Sequence, residues 1–276
     1  MFGLSTVQHF TFILHLADNA LILGQRNAEW TGHGPVLEQD IAITNIALDL
    51  IGQVRNLYQH AANLYNSFSE SQIKETAHLI PERWKSFKRN LEEDDLAFLR
   101  TENQYRNLLL TELPKGDWAQ TVLRQAFFSA FQYLQYEGLK KCSDAQLAAI
   151  AEKAVKETVY HVRWSSEWVI RLGDGTGESN RRLKNAVAEL WPYTGELFAP
   201  ASFEPAEVCN ELGIAMDVLK SSWLQKMNAV FTEATLELPK QPALQRGGKE
   251  GHHTEYLGLL LAEMQYLQRT YPNAVW

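Results

Sequence analysis

Wound at about 100° per residue, the stretch Ala148–Leu172 places Ile150, Ala154, Glu157, His161, Trp164 and Trp168 on one face. The run contains no Gly or Pro before Gly173, so it predicts one long helix with an acid and a histidine inside an apolar stripe. A buried acid costs several kcal/mol unless a partner compensates it, so Glu157 calls for a partner. The same periodicity predicts helices over 5–28, with Ser5 as cap, over 37–65 and over 117–141, with Asp117 as cap. The helix at 117–141 is apolar nearly all round and should be central. Further helices follow at 180–198, stopped or kinked near Pro192, at 215–236 and at 255–271. Residues 66–116 predict short helices and a surface excursion, the charge run Glu92–Asp95 being a solvated face or a helix start. No strand pattern, no internal repeat and no domain boundary interrupts this order. The expectation is one all-α domain over residues 1–276.

Two acids besides Glu157 stand out. Asp18 has Leu14, Leu21 and Ile22 at contact spacing. It either faces inward or sits at the stripe's margin, paired with a neighbouring helix. Asp49 falls on the polar stripe of its helix with Glu38, Asn45, Asn56, His60 and Asn63, facing solvent or a second, wetter interface. His33, in the NAEWTGHGPV turn, reads as structural.

Composition narrows the possibilities. A 276-residue chain that is 45% hydrophobic can bury a large core, and eight Trp, ten Tyr and twelve Phe point to large buried surfaces, a subunit interface among them. The net charge of −7 argues against nucleic acid as a partner. Cys142 and Cys209 lack the spacing of a metal or redox motif and fit a reducing cytoplasm, with no signal peptide at the N-terminus. No apolar run is long enough to span a membrane.

Helical bundles that hold two irons take a Glu from each of two helices and Glu-x-x-His from each of two others. Here the third residue after Asp49 is Gly52, and the third after Glu157 is Tyr160, with His161 one position late. Between Asp117 and Glu137 there is no carboxylate. At best half a site remains. The preferred reading is a buried hydrogen-bonded Glu157–His161 cluster, alone or with Asp18, which keeps His161 charged or shares a proton with it. Asp18, Asp49, Glu157, His161 and Tyr160 are therefore expected as a polar cluster in place of a metal site, with no catalytic residue and no metal ligand assigned. The loop with Arg246, Gly247, Gly248 and Lys249 is a weak candidate for holding a phosphate or a partner's acid. His252 and His253, being adjacent, point to different sides and form a poor clamp.

The stretches HLADNALILGQRNAEWTGHGPVLEQDIAITNIALDLIGQVRNLY, KAVKETVYHVRWSSEWVIRLGDGT and GGKEGHHTEYLGLLLAEMQYLQRTYP resemble the C subunits of bacterial phenylacetyl-CoA epoxidases, in order and over nearly the whole chain. That resemblance implies a ferritin-like helical bundle with additional C-terminal helices. It implies a place in a multicomponent monooxygenase that epoxidises the ring of phenylacetyl-CoA with O₂. The di-iron centre would lie in a related A subunit. The other partners would be a small B subunit and a reductase with NADPH, flavin and an Fe–S cluster. The C-type chain would be the structural, iron-free partner. The aromatic excess and the 246–256 loop are expected at its interface. The competing expectation is a di-iron oxygenase or iron-handling protein acting alone.

Overall fold

The computed structural model describes residues 6–271 and Ala274, so the expected cap Ser5 lies outside the described residues. Four long helices make the frame. They are α1 (Thr6–Ala28) and α2 (Leu37–Asn66), then, after short α3 (Glu70–Glu75), α4 (Glu93–Phe98) and α5 (Leu109–Glu112), α6 (Trp118–Leu139) and α7 (Ala145–Gly173). The chain continues through α8 (Gly177–Leu190), a 3₁₀ segment at Trp191–Leu197, α9 (Ala206–Glu211), α10 (Met216–Glu233), α11 (Glu255–Met264) and α12 (Tyr266–Thr270). No strand occurs among the described residues. The chain forms the helical bundle with additional C-terminal helices that its pattern and resemblance imply. α1 packs along α2, α6 along α7, and α2 meets α7 across the bundle.

Local chemistry sets the helix ends. Asp117 accepts from the Gln120 amide while the Gln120 side chain returns to the Asp117 amide, a reciprocal cap that starts α6. Asp144 caps α7 through the Leu147 amide, and Thr176 caps α8 just after the GDG turn. Pro192 carries no amide hydrogen, so α8 gives way to 3₁₀ geometry beside it. Gly173 closes α7 where a Cβ would stand 2.1 Å from the Ala234 carbonyl oxygen. Only glycine lets the end of α10 come that near.

One apolar core runs from Phe10 to Leu261. Two features depart from expectation. First, α1 shares the central place with α6, since every residue from His9 to Gly24 is buried. Second, the excursion at 66–116 is superficial only in part. Tyr105–Leu113 is buried throughout and packs against α1. Short apolar pieces there lack the length to show a period, so the sequence pattern does not distinguish them from a surface loop. The Glu92–Asp95 run is a helix start, with Asp95 accepting from the Glu92 amide and pairing with Arg89 at 2.6 Å.

The aromatic excess goes mainly inward. Trp30, Trp118, Trp164 and Trp168 form one edge-to-face group, and Phe127, Trp191, Phe198, Trp223 and Phe231 form a second cluster of mixed geometry in which Phe127 and Phe231 stack. Trp164, Phe127, Trp191, Trp223 and Phe231 are buried in the core, while Trp30, Trp118, Trp168 and Phe198 pack against it and stay partly exposed. No helix among the described residues is long and apolar enough to cross a membrane.

Candidate functional site

The middle of the bundle is where α2 and α7 run antiparallel, and polar side chains join them in rungs. His161 Nε2 lies 2.9 Å from Asp49 Oδ2. One turn on, the Gln53 amide donates to Glu157 Oε2 at 2.9 Å. Gln53 Oε1 in turn accepts from Gln132 of α6 at 3.1 Å and from the Tyr136 hydroxyl at 3.3 Å. Toward the other end, Gln39 Oε1 accepts from the indoles of Trp164 and Trp168. The first two rungs are spaced i, i+4 on each helix, Asp49 and Gln53 on α2 and Glu157 and His161 on α7, which is what sets these side chains on facing surfaces.

This corrects the predicted cluster. Glu157 is only half-buried, and its partner is Gln53 rather than His161 or Asp18. The buried face of α7 runs through Leu147, Ala151, Ala154, Thr158, His161 and Ser165, so its axis lies about one position away from Glu157 and Trp168. Tyr160 is turned to solvent, and so is Gly52. Asp49 sits on the wetter interface that its polar stripe allows, about a third exposed and engaged by a fully buried His161.

Asp18 belongs to a separate centre. Its carboxylate is fully buried and accepts from the Tyr58 hydroxyl at 2.5 Å, from the Arg106 amide at 2.7 Å and from both terminal nitrogens of Arg100. Arg100 is itself fully buried. It also donates to the Leu96 and Gln104 carbonyls and lies 4.2 Å from the centre of the Tyr105 ring. Burial opposes its charge, but Asp18 beside it outweighs that and lifts the guanidinium above its ordinary range. Burial likewise pushes the Tyr58 hydroxyl up. The arrangement is a satisfied internal ion pair with every carboxylate oxygen occupied.

The 246–253 loop turns inward. The Lys249 ammonium is buried, bonded to Glu204 Oε2 at 2.7 Å and to the Ala199 carbonyl at 3.0 Å. His253 Nδ1 meets Glu112 Oε2 at 2.8 Å, while Glu196 accepts from the Leu109 and Gly247 amides. Of the predicted phosphate or partner loop, Arg246 and His252 reach solvent, and Lys249 and His253 are spent inside the fold. The loop clasps the 105–113 segment through His253 and the Gly247 amide.

The family model described as phenylacetic acid catabolic protein matches residues 3–276. The chain belongs to that family. It is similar to the C subunit of the 1,2-phenylacetyl-CoA epoxidase of Escherichia coli (strain K12), with 43% identity over 267 residues that cover 96% of this chain and 98% of that protein.

Within this phenylacetic acid catabolic fold, the residues do not fit two irons. The inward positions of α2, α6 and α7 hold Gln53, Gln132 and Tyr136 beside Asp49 and Glu157, and the acid of α1 is consumed by Arg100. A third polar centre went unread in the sequence. His9, His60 and Asp144 meet at one end of the bundle, where Asp144 Oδ2 lies 2.6 Å from each imidazole. His60 lies on the polar stripe of α2 and yet is buried, because that stripe faces the start of α7. The available signal was the helix-capping Asp144, which a histidine at the far end of α2 can reach only if α2 and α7 are antiparallel.

Proposed function

We propose that this chain is the non-catalytic subunit of a 1,2-phenylacetyl-CoA epoxidase, supporting a di-iron catalytic subunit in aerobic phenylacetate breakdown. The observation that carries the proposal is the α2–α7 seam. Iron needs free carboxylates to balance its charge. Here each acid of the seam already has a side-chain partner from the facing helix, and the third position after each acid points to solvent. The likeness to the Escherichia coli epoxidase chain supports the complex, and the donor set supports the division of labour within it. In this reading iron and oxygen chemistry stay in the A subunit, while the B subunit and the flavin and Fe–S reductase complete the assembly.

The chain's own contribution is rigidity. Side chains bonded across the seam hold two helical hairpins at fixed spacing, so the bundle can serve as a firm support for a neighbour that must admit a CoA thioester. The test is to co-express the chain with the catalytic subunit, measure iron in each, and assay epoxidation with Asp49→Asn and Glu157→Gln in this chain. Iron confined to the partner and an unchanged turnover are expected. Iron in the isolated chain that disappears in those two variants would instead favour an oxygen-activating enzyme acting alone.

A further inference from the structure

Two imidazoles and a carboxylate converge at the end of the bundle, away from the seam. His9 comes from the start of α1, His60 from the end of α2, and Asp144 caps α7. Seven residues separate His60 from Gln53, roughly 10 Å along α2. Both Nε2 atoms lie 2.6 Å from the same oxygen, Asp144 Oδ2, instead of one on each carboxylate oxygen. The rings stand 6.5 Å apart and nearly perpendicular, at 78°, so the two nitrogens approach one point from different directions. The three donor atoms lie within 4.8 Å of one another, the one such grouping of three His, Cys, Asp or Glu donors among the described residues.

The surroundings suit a bound ion. Asp144 Oδ1 is fixed by the Leu147 amide at 3.0 Å, which orients the carboxylate independently of the histidines. Both histidines are buried, while the Asp144 side chain keeps 15% exposure.

We propose that His9, His60 and Asp144 bind a divalent transition-metal cation of the zinc class, with water in the fourth position. Imidazole nitrogen selects such ions over magnesium or calcium, which prefer all-oxygen shells. Ligand atoms about 2.0–2.1 Å from a tetrahedral zinc stand roughly 3.3 Å apart, so each 2.6 Å contact opens by about 0.7 Å through side-chain rotation. The ion ties α1, α2 and α7 together at one end of the bundle. The proposal stands apart from the assignment to the epoxidase, since its readout is metal bound to the isolated chain.

The experiment is to strip the full chain with a chelator and titrate it with Zn²⁺ against a chromophoric competitor. One zinc per chain and a rise in Tm on loading are expected. His60→Gln should weaken binding by more than about 100-fold, beyond the ~10–100-fold typical of losing a supporting residue. Asp144→Asn keeps the helix cap, because Asn caps as well as Asp, and should also lose the ion. Co²⁺ in the wild-type chain gives visible bands of a tetrahedral nitrogen–oxygen shell, a readout that needs no variant. No stoichiometric zinc, or equal binding in the wild type and both variants, overturns the proposal and leaves the cluster a hydrogen-bonded clasp.

Discussion

Replacing Arg100 by Met removes the cation that holds Asp18 in the interior and leaves a carboxylate at zero exposure. Breaking a buried pair by removing one partner costs about 3–5 kcal/mol. Here the Tyr58 hydroxyl and the Arg106 amide stay on the carboxylate, two of the groups that now satisfy it, so the lower end applies, about 3 kcal/mol. With a urea slope of ~3 kcal/mol/M, that moves the midpoint down by about 1 M. At ~2–4 °C per kcal/mol, Tm falls by roughly 6–12 °C. The companion variant Asp18→Leu/Arg100→Met removes both charges and should recover much of the loss. It should still fall short of wild type, because Arg106 N–H and the Leu96 and Gln104 carbonyls lose their partners. Urea unfolding of wild type, both single variants and the double variant, with the slope checked for constancy, gives the coupling energy directly. A single variant within about 1 kcal/mol of wild type would refute the reasoning, since it would mean that the interior tolerates an unpaired Asp18.

Other expectations are independent of that centre. His15 is fully buried, and its imidazole is lowered from 6.5 to about 4, chiefly by burial and against the pull of Glu204. A histidine with a depressed folded-state value costs nothing above 6.5, and stability falls as pH drops from 6.5 toward 4, where the unfolded chain binds the proton first. The loss approaches ~3 kcal/mol, and His15→Gln should flatten urea midpoints across that window relative to wild type. Two glycines in long helices should respond in opposite directions to alanine in thermal melts. Gly173→Ala drives a Cβ against the Ala234 carbonyl and costs about 1–3 kcal/mol, whereas Gly52→Ala meets nothing within 4 Å and gains about 0.5–1 kcal/mol.

The long helices were legible because each presents many turns of one period, ended by Gly, Pro or a capping acid. Asp117 was readable as a cap from its place before Trp118. Leu14, Leu21 and Ile22 leave Asp18 either inward or at the stripe's margin, and they do not name its partner, since Arg100 lies 82 residues away in a segment without periodicity. Glu157 was placed one step too far inward. A stripe read at 100° per residue tolerates such a shift, and the flanking Trp164 and Trp168 pull its axis toward the edge of the face. Lys249 was misread because a Gly-flanked basic residue looks alike whether its carboxylate partner, Glu204, lies inside the fold or outside. His60 was hidden by a general limit of patterning. A polar stripe shows that a helix face is not apolar, not that it is wet.

The antiparallel rungs of the seam also act on the chain's freedom to vary. Asp49 is read by His161, and Gln53 reads Glu157 while joining Gln132 and Tyr136. A one-turn slip would set Asp49 against Glu157 in one direction or Gln53 against His161 in the other, and either way break both pairs at once, so the rungs work as a key for register. A change at 49 or 53 that removes the bonding group is therefore tolerated when 161 or 157 changes with it and penalised when made alone, whereas an amide in place of either acid keeps an acceptor oxygen for its partner. Such a bundle would thus keep its alignment in matched letters, and its history should be written in paired substitutions across α2 and α7.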